Sequence, residues 1–404
     1  MKSIVNHVIY KISITNCMLK CRSSFIKQTV VCVALLGAAS VSYAQSSITL
    51  YGAMDMGVNY RTAAGASGGK PASAWNLGSN EITNRWGLLG SEDIGGGVKV
   101  TFRIESGFNP SNGTGNFSVP YPADNGSLFD RGATVGIVSK YGSLLFGRNW
   151  SPLIDAFSVS DTTGYMNFGS LSNATFQNSS NINPALGPSA IATGQNSPIN
   201  GGLLYTWVNN SAKYMLPDNF YGFSGGALYS LGGTPGSFQS KSAVAGNLNW
   251  TNGQLGLQSA YFDQNDPSGL TDKPWLRAWT VGVTYTIGQV KSGFTFVKYR
   301  NPTTGANQNY YYVSSSWQAT PALRLTGDWM HLQDRHNTRA GADLYKIGAN
   351  YFLSKRSALY VDVAYSDNRP EGTLGAGANI SLLTSPATIG HNQLAVAAGV
   401  KTYF

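Results

Sequence analysis

From residue 47 to the C-terminus, apolar and polar side chains alternate in short runs. In "VKVTFRIE", Val98, Val100, Phe102 and Ile104 alternate with Lys99, Thr101, Arg103 and Glu105. "ALYVDVAYS" sets Leu359, Val361, Val363 and Tyr365 against Tyr360, Asp362, Ala364 and Ser366. "LRLTGDWM" sets Leu323, Leu325 and Trp329 against Arg324, Thr326 and Asp328, and "LAVAAGVKTYF" sets Leu394, Val396, Val400 and Phe404 against Lys401 and Tyr403. A period of two puts one set on each face of a strand, and in these runs all the charges fall on one face. No long apolar run or convincing amphipathic helix interrupts the pattern.

Sixteen such segments are predicted, near 47–60, 81–91, 96–108, 128–140, 142–149, 201–216, 220–231, 240–251, 254–263, 276–287, 290–301, 308–319, 322–334, 342–353, 356–367 and 391–404. Tight connections ("IGG", "YG", "PDN", "TNG", "IGQ", "TP", "SKR") take turns with long ones rich in Gly, Asn, Ser and Pro. An even strand count with short turns on one side and long loops on the other fits an up-and-down transmembrane barrel, apolar side chains toward lipid and polar ones inward. A strand tilted by about 45° needs about 11 residues to cross an apolar band about 25 Å tall, as these segments provide. Closure is required because an open sheet edge in hydrocarbon would leave N–H and C=O groups unpaired at several kcal/mol each. The competing architecture, an array of soluble β-sandwiches, accounts less well for strands of this length between alternating loops. Tyr60, Tyr285, Tyr299 and Trp329 are expected in interfacial girdles, or as ordinary strand formers.

Composition and charge change the picture at the N-terminus. Residues 1–44 hold Lys2, Lys11, Lys20, Arg22 and Lys27 and no acid, then "TVVCVALLGAAS" and "SYAQ". A basic region, a short apolar core and small residues before Ala44–Gln45 predict a signal peptide cleaved there. The apolar run is too short for the about 20 residues of a spanning helix. The segment before Met18 looks superfluous, and Met18 is the expected start. With five of the 28 basic residues gone and all 19 acids kept, the net charge falls from +9 to +4, which weakens a nucleic-acid reading; none is expected as a partner. Cys17, Cys21 and Cys32 also leave, so residues 45–404 are expected to form one barrel domain without disulfides.

Candidate chemistry is sparse. His331 and His336 in "HLQDRH" are five apart across a strand-to-loop junction and match no strong metal-ligand spacing; a solvated loop explains them better. "GASGGKP" lacks the first glycine of a phosphate loop and the Ser/Thr after Lys70. "DQNDPSG" at Asp263 could hold Ca²⁺, but an Asn-Asp-Pro turn explains it more simply. An enzyme is not expected, nor any cofactor or metal.

"SSITLYGAMDMGVNY", "NRWGLLGSEDIGGGVKVTFRIESGF", "LFDRGATVGIVSKYGSLLFGRNWSPL", "NNSAKYMLP" and the closing "GVKTYF" occur in order along essentially the whole chain after the leader. They resemble the general outer-membrane porins of β-proteobacteria. The resemblance implies a homotrimer of sixteen-stranded barrels in a Gram-negative outer membrane, each with a long third loop folded into its lumen. Its partners would be outer-membrane lipid and lipopolysaccharide, the barrel assembly machinery, and small hydrophilic solutes and ions. A terminal strand ending in Phe404 resembles the signal read by that machinery.

Length locates the third loop independently: about fifty residues, 151–200, separate "LLFGRNW" from "GGLLYTW", too many for an ordinary connection. Folded inward, the loop would narrow a channel that sixteen strands leave wide. Its acids are Asp155 and Asp161; inward parity supplies Arg85, Lys99, Arg103 and Arg131, with Lys213 after the loop. Acids facing bases would create a transverse field that orients solutes without tight binding. Each of these charges could equally be solvated wall. Two positions depart from the family pattern: Leu89 stands where a second arginine usually follows in "RWGLRG", and Trp207 where an arginine usually precedes "NNS". The expected function is passive diffusion of small hydrophilic solutes and ions with modest anion preference. The alternative is a channel selective for a small organic acid or phosphate.

Overall fold

The computed structural model describes residues 46–65, 70–115, 127–164, 168–171, 174, 207–218, 220–266, 269–377 and 387–404. The expected signal peptide, including Ala44 and Gln45, lies outside these residues. Within them seventeen strands form one antiparallel sheet. The first is β1 (Ser46–Gly65), whose Ala53–Arg61 pair with the last, β17 (Gln393–Tyr403), so the sheet closes. Seventeen strands occupy sixteen positions around the barrel, because β2 (Pro71–Gly78) and β3 (Arg85–Gly95) share one. β2 pairs with Gly57–Gly65 of β1 and β3 with Ser46–Ala53.

β4 (Val98–Gly107), β5 (Gly132–Ser139) and β6 (Gly142–Trp150) follow as neighbours, then β7 (Trp207–Met215), β8 (Phe223–Ser230) and β9 (Ala243–Thr251). β10 (Leu255–Asn265), β11 (Pro274–Ile287), β12 (Val290–Arg300) and β13 (Asn307–Thr320) continue the order; β14 (Leu323–Asp334), β15 (Ala342–Phe352) and β16 (Ser357–Asn368) lead back to β17. All sixteen predicted segments correspond to strands. Pro71–Gly78 was not among them.

The burial pattern is that of a globular protein turned inside out. Leu359, Val361 and Tyr365 are exposed while Tyr360, Asp362 and Ser366 are buried; Trp329 is exposed while Asp328 is buried. Apolar groups on the outside have no water to avoid in a bilayer, and polar ones need the interior. Register pairs Tyr261 with Trp279, Phe296 with Tyr311, and Tyr345 with both Trp329 and Tyr365 outside β10 to β16, near the long-loop end, and Trp279 packs on Phe296 across a two-residue offset. This band is an interfacial girdle, with a row bearing the Arg277–Asp263 ion pair above it. Exposed Tyr285 and Trp317 mark the other end. Tyr299 does not join either girdle. It is fully buried and packs edge-on against Tyr310, because its parity turns it inward.

Two details of backbone geometry serve closure. Gly95, Gly96 and Gly97 all have positive φ (89°, 63° and 76°), so the β3–β4 turn needs residues without a Cβ. At Gly52 a Cβ would collide with the ring of Phe404, whose amide and carbonyl hydrogen-bond to Gly52. The last residue is thereby seated across the β1–β17 seam.

Candidate channel wall

A short helix, α1 (Pro152–Ser160), follows β6. The Ser151 side chain caps it by accepting from the Leu153 amide at 3.2 Å, and Pro152 fits the first helical position. This "SP" start is a helix signal that the strand-dominated reading passed over. Leu153, Ile154, Ala156 and Phe157 are buried, and the helix packs against β8 to β12. Beyond it the chain keeps to inward-facing side chains. Gln258 donates to Ser160 Oγ at 3.3 Å, and the Thr162 amide donates to Ser314 Oγ at 3.2 Å. Gly164 lies against Arg324, and Gly169 against Lys346 and Ala364. Residues 175–206, most of the expected constriction loop, lie outside the described residues.

The expected basic residues divide. Arg85, Arg103 and Arg131 converge on one carboxylate, Glu105. Arg131 Nε lies 2.6 Å from its Oε1, Arg103 Nη2 2.8 Å and Arg85 Nε 4.0 Å from its Oε2. Register explains the meeting: Glu105 pairs with Gly87 and Gly132, so no flanking side chain separates it from Arg85 on β3 or from Arg131 just before β5, and Arg103 shares its own strand face. Tyr51 donates to Glu105 at 2.7 Å and accepts from Arg103 Nε at 3.0 Å. Glu105 itself is buried, and three guanidiniums around one carboxylate leave a net positive patch.

Arg148, absent from the sequence-based set, joins this patch. It donates to the Asp130 carbonyl at 2.7 Å and to Asn209. Trp207 lies between Arg131 and Arg148, their guanidinium carbons 5.2 and 5.9 Å from its ring centroid, and Arg103 stacks on Trp150 at 5.4 Å. An arginine at 207 would add a third like charge here; the indole instead supplies a π-face. Lys99 stands apart, exposed beside the glycine turn and paired in register with Asp93 and Val138.

The loop acids do not simply oppose the bases. Asp155 forms an ion pair with Lys213 at 2.5 Å, so these two neutralise each other, while Lys213 also donates to the Trp150 carbonyl at 2.9 Å. Asp161 accepts from the amide and hydroxyl of Thr163 and lies within electrostatic reach of Asp328 and Lys346. That places it on a second arc, of β1 and β14 to β17, whose acids the sequence reading did not single out.

On this arc Asp55 Oδ2 accepts from the amides of Asn80, Glu81 and Ile82 at 3.0, 2.6 and 2.9 Å, holding the turned-in segment between β2 and β3. Tyr360 donates to Asp55 Oδ1 at 2.6 Å. Glu81 accepts from Asn350 at 2.7 Å and pairs with Lys401; Lys346 sits 3.6 Å from Asp362 and 3.9 Å from Asp328. Asp328 and Asp362 were visible in their strands' polar faces. Asp55 and Glu81 were not separable from ordinary wall, because their role depends on a bend at Ser79–Asn84 that no local pattern announces. The arginines thus gather on β3 to β6, while β1 and β14 to β17 interleave carboxylates with Arg61, Arg324, Lys346 and Lys401.

The histidines take no part. His331 lies within β14 and His336 beyond its end, as the predicted strand-to-loop junction has them, and His331 Nδ1 is 3.0 Å from Asp343 on the outer surface. Among the described residues no group of three or more His, Cys, Asp or Glu side chains is arranged to hold a metal ion.

Comparisons agree with this architecture. The family model described as "Gram-negative porin" matches residues 29–371. Outer membrane porin protein 32 of Delftia acidovorans is 28% identical over 391 residues, covering 94% of this chain and 100% of that protein. An outer membrane porin protein of Bordetella pertussis is 27% identical over 403 residues, covering 85% of this chain and 94% of that protein. Among solved structures, an anion-selective porin from Comamonas acidovorans superposes with a TM-score of 0.70 at 23% identity, covering 89% of this chain and all of that one. The OmpT trimer of Vibrio cholerae gives 0.59 at 13%, covering 89% and 99%. With a closed sixteen-position barrel, an outward apolar face and a charged interior, this chain belongs to the Gram-negative porin family, the outer-membrane channels for small solutes.

Proposed function

We propose that the protein conducts small hydrophilic solutes and ions passively, with a preference for anions, and catalyses no reaction. The observation that carries the preference is the convergence of Arg85, Arg103 and Arg131 on the single carboxylate of Glu105. Fixed charges on a channel wall concentrate counter-ions and exclude co-ions. The 151–200 segment is the constriction element: its described part lies against inward-facing side chains, and Asp155 fixes it to Lys213. Residues 45–404 form the working domain after removal of the 1–44 leader. A homotrimer in lipid and lipopolysaccharide, assembled with Phe404 as the recognised end, fits the Vibrio trimer's likeness and the seating of Phe404 on Gly52.

Proteoliposome swelling tests this reading. Purified protein should admit an uncharged sugar, gluconate faster than that sugar's amine derivative, and none of them saturably. Equal rates for anion and cation would remove the arginine arc from the conduction path.

A further inference from the structure

A cavity of about 460 Å³ opens between β1, β3 to β7 and α1, beside the arginine arc. Its lining combines two chemistries. Arg103 and Arg148 supply positive charge beside the mutually neutralised Lys213–Asp155 pair, and Leu89, Leu145 and Met215 supply apolar surface, with Trp150 between them. All three apolar residues occupy inward parity positions, where a water-filled barrel ordinarily has polar ones. Leu89 pairs directly with Arg103 and keeps 42% of its surface exposed; Leu145 pairs with Lys213 and spreads over Gly136. Arg103 is more open than its neighbours Arg85, Arg131 and Lys213, its side chain 35% exposed against 25%, 6% and 4%. Nε and Nη2 are engaged by Tyr51 and Glu105, while Nη1 has no hydrogen-bond partner among the described residues.

We propose that this cavity is a subsite for small carboxylates that carry an aromatic or aliphatic body. The carboxylate meets Arg103, and the body covers Leu89, Leu145, Met215 and the edge of Trp150. An arginine at position 89 would make the wall uniformly basic and suited to any small anion. Leucine there divides it, so that a solute must offer both a charge and an apolar surface to gain from the whole wall. Weak dwelling at such a site enriches these solutes at the channel without stopping transit, since favourable entry must be matched by ready exit. The inference rests on the channel reading above.

The test is single-channel recording of the full-length purified protein in chloride, with benzoate, acetate or benzyl alcohol added. Benzoate should produce saturable flicker or block at concentrations about tenfold below any effect of acetate, and benzyl alcohol should produce none. In Leu89→Asn the benzoate-to-acetate ratio of block constants should fall about fivefold, as loss of part of a buried apolar contact implies. Leu145→Asn serves as a second variant should the first fail to assemble. Benzoate and acetate acting alike, benzyl alcohol acting as strongly as benzoate, or an unchanged ratio in both variants would overturn the subsite while leaving the channel standing. Absence of conducting channels would overturn the channel reading itself.

Discussion

Glu105 has three guanidiniums within salt-bridge distance, at 2.6, 2.8 and 4.0 Å, and its side chain is 1% exposed. Removing one partner of a buried ion pair typically costs about 3–5 kcal/mol, because the other charge stays buried. Arg103 and Arg85 retain contact with solvent, so Glu105→Gln should destabilise the barrel by an amount near the lower end of that range. Urea unfolding in detergent would measure it. The same variant frees three positive charges and should shift the reversal potential in a salt gradient further toward anions. Arg85→Glu should shift it the other way; an unchanged potential there would take Arg85 out of the constriction. At this scale parity in the sequence identified Arg85, Arg103 and Arg131 as inward. The place of Lys99 beside the "IGG" turn was legible too, but not that Lys213 is spent on Asp155, because alternation gives the face and not the contact.

At the scale of elements, all sixteen predicted segments were legible because a one-residue slip would turn every charge toward lipid, so the pattern is strongly constrained. What escaped was set by contacts distant in sequence. β2 is held by pairing to β1, and the inward bend after it by Asp55, while α1 is too short to display a helical period. The glycine turn should be sensitive to substitution: Gly96→Val places a β-branched residue at φ 63° and should cost about 1–2 kcal/mol. Gly52→Leu displaces the Phe404 ring and crowds the Arg85 carbonyl, and, like deletion of Phe404, should reduce heat-resistant oligomer in isolated outer membranes. Normal oligomer in both variants would show that the seam closes without this seat.

For the whole molecule, the Asp155–Lys213 pair that ties α1 to β7 makes selectivity depend on pH. Burial pushes the Asp155 carboxyl above its ordinary value, although the Lys213 ammonium pulls it down. As pH falls, Asp155 therefore protonates before carboxylates of ordinary acidity. Its negative charge is lost while the positive charge of Lys213 remains, so anion preference should rise at the start of acidification. Asp155→Asn should already show the higher preference at neutral pH and lack that early rise. The most direct test of the account is planar-bilayer conductance of the purified wild-type protein with its reversal potential in a tenfold KCl gradient. Stepwise, ohmic insertions with a potential of the sign for chloride preference are predicted. A folded, membrane-inserted protein that passes no current, or one whose potential favours potassium, would contradict a passive channel governed by its arginine arc.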